Sequence, residues 1–122
     1  MIKYVHLMKR NPKLSFEEFV EYYETKHRLI GIEHVPQAIY YSRRFLKPLT
    51  STAVEGYNLG ADFDVIMEQW FENQAAYDQA MAHVLKPEVT ALIVADEEHL
   101  FDRSKSRFFV VVEEHADSRV AV

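Results

Sequence analysis

Apolar positions along the chain recur with two different periods. From Ser15 to Gly31 they return every three to four residues. Phe16, Phe19, Val20, Tyr23, His27 and Ile30 line one face, while Glu17, Glu18, Glu21, Glu24 and Arg28 fall mostly on the other. This predicts an amphipathic helix. Ser15 and Glu18 fit an S-x-x-E capping box, Leu14 and Phe19 the accompanying hydrophobic staple, and Gly31 a left-handed stop. His27 is the odd member, an ionisable ring on the face that buries.

Elsewhere the period is two. Ile2 to Arg10 reads as a strand, Gln37 to Leu46 as a second and Asp62 to Phe71 as a third. Asn73 is a plausible N-cap for a helix whose stripe is Tyr77, Ala80, Met81 and Val84. Pro87 opens a further helical segment with Val89, Leu92, Ile93, Asp96 and Leu100 inward. Asp96, like His27, stands where an apolar residue is expected. Asp102 to Lys105 reads as a turn and Ser106 to Glu113 as the last strand. Pro48 to Ala61 is polar and long for a connection, as functional or disordered loops are, and Leu49 to Ala61 is expected to close over a cleft or reach across a dimer.

The order β-α-β-β-α-β predicts an α+β, ferredoxin-like antiparallel sheet with helices on one face. Phe108 to Val112 is apolar at every position, so both faces of that strand need cover. The helices cover one face, and a second copy of the chain is the simplest cover for the other. This predicts a homodimer with sheets packed face to face. Residues 1–114 read as one domain and 115–122 as a flexible C-terminal tail.

Composition narrows the partners. The 122 residues carry a net charge of −5 with no basic stripe, which argues against nucleic acid. There is no cysteine, so disulfides and thiolate chemistry are excluded. No apolar run has the length of a membrane span, and no signal-peptide core is visible, so a cytoplasmic protein is expected. His6, His34, His83, His99 and His115 do not fall at metal-binding spacings, and no glycine-rich nucleotide motif occurs. No metal or organic cofactor is expected.

Three segments together, MKRNPKLSFEEFVEYYETKHRLI, DFDVIMEQWFEN and DEEHLFDRSKSRFFVVVEE, resemble the EthD domain family of the dimeric α/β-barrel superfamily. The most specific pieces are K-R-x-P-x-[LM]-[ST]-x-E-E-F ahead of the helix histidine and D-x-D-V near the third strand. The resemblance implies a ferredoxin-like fold that dimerises through its sheets. It also implies cofactor-free chemistry by histidine, tyrosine and carboxylate side chains in a cleft between sheet and helices. Relatives include muconolactone isomerases, polyketide cyclases and small decarboxylases. In methylmuconolactone isomerase a helix histidine and a second-strand tyrosine serve the substrate. The matching positions here are His27 and either Tyr40 or Tyr41. A cysteine of that isomerase's site has no counterpart.

The candidate catalytic residues are therefore His27 as general acid/base, Asp96 as its orienting partner and Tyr40 as a carbonyl-polarising phenol. Tyr23, Tyr41, Arg43, Asp64 and Trp70 are candidates for substrate binding, Arg43 through a bidentate grip on a carboxylate. The opposing structural readings are a core histidine, an Asp96 paired with Arg103 or Arg107, plain core tyrosines, and an Arg43 paired across a dimer. His6 is a weaker pocket candidate, and His83 and His99 read as exposed. The expected function is a lyase or isomerase acting on a small hydrophobic, oxygenated ring compound. The alternatives are a non-catalytic carrier of an apolar ligand and a cofactor-free monooxygenase.

Overall fold

The computed structural model describes residues 1–120. Strand β1 (Ile2–Arg10) is followed by a long helix in three parts: α1 (Phe16–Tyr22), a π-helical turn (Tyr23–His27) and α2 (Arg28–His34). Then come β2 (Ala38–Phe45), β3 (Val65–Phe71), α3 (Gln74–Val84), α4 (Pro87–Leu100) and β4 (Phe101–Val110). The strands form one antiparallel sheet in the order β2-β3-β1-β4. This is the ferredoxin-like α+β arrangement. Among the described residues no helix is long and apolar enough to cross a membrane.

The capping box forms: Ser15 Oγ accepts from the Glu18 N–H at 3.1 Å, and Glu18 accepts from the Ser15 N–H at 2.9 Å. The helix does not stop at Gly31. It runs to His34 and ends where Pro36 disfavours helical backbone at Val35. Gly31 instead lies against the Tyr41 ring, where an added Cβ would stand 3.5 Å from the hydroxyl.

Phe19, Tyr23, Met8, Val65, Met67, Leu100 and Phe101 form the core between helices and sheet. Phe19 meets Tyr23, Phe45 and Phe101 edge-on at 5.9–6.0 Å. Full burial of such a ring stabilises the fold by roughly 1.5–3 kcal/mol. On the helix α4 stripe, Val89, Asp96 and Leu100 are buried, but Leu92 points outward.

Two strand boundaries depart from the sequence pattern. β3 starts at Val65, so Asp62 and Asp64 precede it. β4 begins directly after α4, and the polar stretch expected as a turn lies inside it. Leu7 pairs with Arg107 and Lys9 with Asp102, so five steps on β4 oppose two on β1 in a wide bulge. The connection from 46 to 64 is an irregular loop, with Leu49, Val54 and Tyr57 exposed. Beyond β4 the chain is irregular as far as residue 120. The tail expected over 115–122 includes residues 121 and 122, which lie outside the described residues.

Register fixes the two faces of the sheet. Tyr4, His6, Met8, Tyr41, Arg43, Phe45, Val65, Met67, Phe108 and Val110 share the helix-facing side. Lys3, Val5, Leu7, Tyr40, Arg44, Ile66, Glu68, Trp70 and Phe109 share the other. The expectation that helices cover one face of the whole apolar strand needs correction. Phe108 is on the helix-facing side yet 63% exposed, so the helices do not bury it.

Candidate active site

The π-helical turn carries one extra residue per turn at Tyr23–His27 and ends on His27. Such turns are uncommon and concentrate at functional sites. Here the turn delivers the His27 ring between the edges of Tyr23 and Phe101, at centroid distances of 4.7 and 5.3 Å. Nδ1 of His27 hydrogen-bonds Oδ2 of Asp96 from α4. The other carboxylate oxygen, Oδ1, accepts from the Tyr22 hydroxyl at 2.9 Å. A buried carboxylate on an apolar stripe is costly unless donors meet it, and two donors do.

The arrangement assigns the proton positions. A carboxylate at Nδ1 calls for Nδ1–H, which leaves Nε2 with its lone pair. Among the described residues Nε2 has no hydrogen-bond partner, and the side chain is 14% exposed. Burial, and then the bond to Asp96, push the Tyr22 phenol up to about 12. Tyr22 therefore remains a donor throughout the neutral range. Tyr22 lay off the predicted stripe, and the only signal for it was that an inward Asp96 needs more than one donor.

Beside this relay lies a second polar cluster. Tyr23 is fully buried, and its hydroxyl has no hydrogen-bond partner among the described residues; burial, then the nearby Tyr41 phenol, push it well above its ordinary value. Burial also raises Tyr41. Arg43 lies over the Tyr41 ring at 4.9 Å and grips Glu24 with Nε and Nη2 at 2.8 and 2.9 Å. That bidentate bond holds the Glu24 carboxyl below its usual range. The fork of Arg43 is thus filled from within the chain, which leaves no free bidentate grip for a substrate carboxylate.

The remaining candidates lie elsewhere. Tyr40 and Trp70 stack at 4.1 Å on the opposite sheet face, with Lys3 4.0 Å over Trp70 and the Trp70 indole N–H donating to Glu68 at 3.0 Å. The second-strand tyrosine on the side of His27 is Tyr41, because Tyr41 pairs with Gln69 and Tyr40 with Trp70. Asp64 is buried where β1 ends. It accepts from the Arg10 N–H at 2.8 Å and lies 3.3 Å from Lys9 Nζ, a contact that ties the loop to the sheet. No contact links it to His27 among the described residues. His83 is not free on the surface: its Nε2 lies 3.0 Å from His34 Nδ1, joining α3 to α2.

No curated protein matches the sequence. Solved structures match its shape. A protein of Arabidopsis thaliana, At3g17210, has a TM-score of 0.60 at 17% identity over 97% of this chain and 100% of its own. An EthD family protein of Bacillus halodurans gives 0.57 at 13% identity, covering 93% and 100%. SnoaB of Streptomyces nogalater, a cofactor-independent oxygenase, gives 0.54 at 10% identity, covering 94% of each chain. At these identities the likeness is one of fold. The EthD domain family matches residues 11–104, most of the chain and the whole of the His27–Asp96–Tyr22 relay, and the protein belongs to that family.

Proposed function

We propose that the protein is a cofactor-free acid/base enzyme, a lyase or isomerase of a small, hydrophobic, oxygenated ring compound. The observation that carries this reading is the buried relay, Tyr22 to Asp96 to His27, ending on an Nε2 with no hydrogen-bond partner among the described residues. In an isomerisation, Nε2 takes a proton from carbon beside a carbonyl. The resulting enolate is stabilised by hydrogen bonding, with Tyr41 on the same sheet side as the donor. The imidazolium then returns the proton at another carbon. No group is consumed, so neither metal nor organic cofactor is required by the chemistry. Asp96 acts by holding the Nδ1–H tautomer, and Tyr22 by holding Asp96.

The test is proton exchange. Small lactones and β-keto compounds are incubated with the protein in D2O and followed by NMR. Catalysed deuterium incorporation that disappears in His27→Gln supports the reading. Incorporation unchanged by His27→Gln contradicts it. Oxygen consumption on the same compounds would favour a monooxygenase, a reading supported by the fold shared with the cofactor-independent oxygenase SnoaB.

The assembly we propose is a dimer through the open sheet face. Tyr40, Trp70 and Phe109 give that face an aromatic surface, and Phe109 is 50% exposed in the single chain. A structurally similar protein of Thermobifida fusca, with a TM-score of 0.54, is described as a dimeric ferredoxin-like protein.

A further inference from the structure

We propose that Glu24 and Arg43 are positioning residues: their ion pair pins the π-helical turn to β2 and thereby holds His27 against Asp96. The inference deepens the acid/base reading, and its catalytic consequence rests on that reading. Its geometric content stands on the turn alone.

The turn poses the problem. The Arg28 N–H bonds the Tyr23 carbonyl, five residues back, so the α-helical ladder is broken here. Tyr23–His27 contains no glycine or proline that would break it locally. Thr25 Oγ1 donates to the Glu21 carbonyl at 2.7 Å, but that bond ties the turn to nothing outside its own helix. The cause is therefore tertiary. In an α-helix, residues three apart are neighbours on one face. Glu24 and His27 are three apart, yet they bond to different elements, Glu24 to Arg43 of β2 and His27 to Asp96 of α4. β2 is one edge of the sheet, and α4 runs into β4, the other edge. The extra residue in the turn opens the angle between the two side chains so that both reach.

The β2 side of this span is built to hold. Glu24 takes Nε and Nη2 of Arg43 at 2.8 and 2.9 Å, a bidentate fork of fixed geometry. Arg43 Nη1 donates to the Tyr41 carbonyl at 3.2 Å, which fixes the guanidinium to its own strand as well. The Tyr41 ring beneath it lies against Gly31 of α2. β2 thus grips the helix on both sides of His27, at Glu24 before it and at Gly31 after it. Arg28 Nε also lies 3.5 Å from Glu24, but within the same helix. The Arg43 and Glu24 side chains keep 21% and 34% exposure, and ion pairs so open to water add little stability. What this pair supplies is direction. Without it the turn is free to rewind to the α register, which brings Glu24 and His27 to one face and takes His27 off Asp96.

The test is NMR on the full-length chain. The Nδ1–H proton of His27 reports its bond to Asp96, and exchange of the Arg28 amide reports the five-residue bond. Glu24→Gln and Arg43→Gln should each move the His27 signal upfield and speed Arg28 exchange about tenfold or more, with circular dichroism unchanged. The double variant should do no more than either single one, because the two residues act as one unit. Arg28→Gln removes only the contact inside the helix and should leave both signals in place. On the compound that the D2O screen identifies, Glu24→Gln should lower kcat about tenfold or more through a misplaced base, and leave KM within about threefold. Unmoved His27 and Arg28 signals overturn the proposal, as do effects that add in the double variant. A loss confined to KM in Arg43→Gln also overturns it, and would return Arg43 to the substrate. The two readings fail separately. Wild-type kcat in His27→Gln refutes the acid/base reading and leaves the NMR signals to decide the pin, while unmoved signals refute the pin and leave the acid/base reading intact.

Discussion

On the helix-covered side of the sheet two polar pairs close within the chain, His27 with Asp96 and Arg43 with Glu24, while His6 and the Tyr23 hydroxyl have no hydrogen-bond partner among the described residues. On the opposite side Tyr40, Trp70, Lys3 and Glu68 form a stacked cluster that keeps at least partial exposure. Both sides carry aromatics and charges in alternation, and sequence pattern alone ranks them equally as sites. Burial separates the His27–Asp96 pair from the rest, with side chains 14% and 4% exposed. Under the helices the buried Asp96 carboxylate must find donors or destabilise the fold, which fixes the geometry of His27 and Tyr22 around it. On the open face such groups are free to serve an interface, where aromatic stacking and shape matter more than tautomer.

The contrast can be broken first at His27. His27→Gln keeps a hydrogen bond to Asp96 but cannot cycle a proton. It should lower kcat by ~10²–10⁴-fold while circular dichroism and dimer mass stay unchanged.

The next largest effect belongs to His6. An unfolded histidine titrates near its ordinary 6.5, the folded one at about 4. Between those values the unfolded chain takes up a proton that the folded chain refuses. Stability intact above pH 6.5 should therefore fall as the pH drops toward 4, by up to about 3 kcal/mol. Urea denaturation across that window measures it, and His6→Leu should flatten that part of the curve.

On the open face, Phe109→Asp should weaken the dimer at least about tenfold, since it places an unpaired charge in the contact. Sedimentation equilibrium reads the change, with the monomer still folded because Phe109 is half-exposed there. A charge at Val110 would not test this face, as Val110 lies on the helix side. The smallest effect is that of Tyr22→Phe, which removes one donor from Asp96 and should cost about 1–2 kcal/mol in thermal stability with a modest loss of kcat.

Much of the fold could be read from period and punctuation, because capping and alternation are local. The helix start at Ser15 and the β-α-β-β-α-β succession of elements needed nothing else. The failures came where tertiary contacts override local signals. Gly31 looked like a stop, but packing on Tyr41 and the later Pro36 carry the helix three residues further. The DRSK stretch looked like a turn, but Phe101 is anchored in the core and the excess residues bulge out of β4. Alternation could not choose between Tyr40 and Tyr41, since it fixes parity and not facing. The pairing of Tyr41 with Gln69 decides it. His27 and Asp96 were legible as two polar residues on apolar stripes, each needing the other. Tyr22 was not, because only the spatial position of Asp96 reveals a second donor.

The central claim is that His27 and Asp96 act as one unit that presents Nε2 as the base. The most direct test is a double-mutant cycle on the compound that the D2O screen identifies, comparing wild type, His27→Gln, Asp96→Asn and the double variant. Groups that act together are strongly non-additive. The account predicts that Asp96→Asn lowers kcat, and that the double variant is no slower than His27→Gln within about threefold. Losses that multiply across the two positions, or a His27→Gln variant with wild-type kcat, would contradict it.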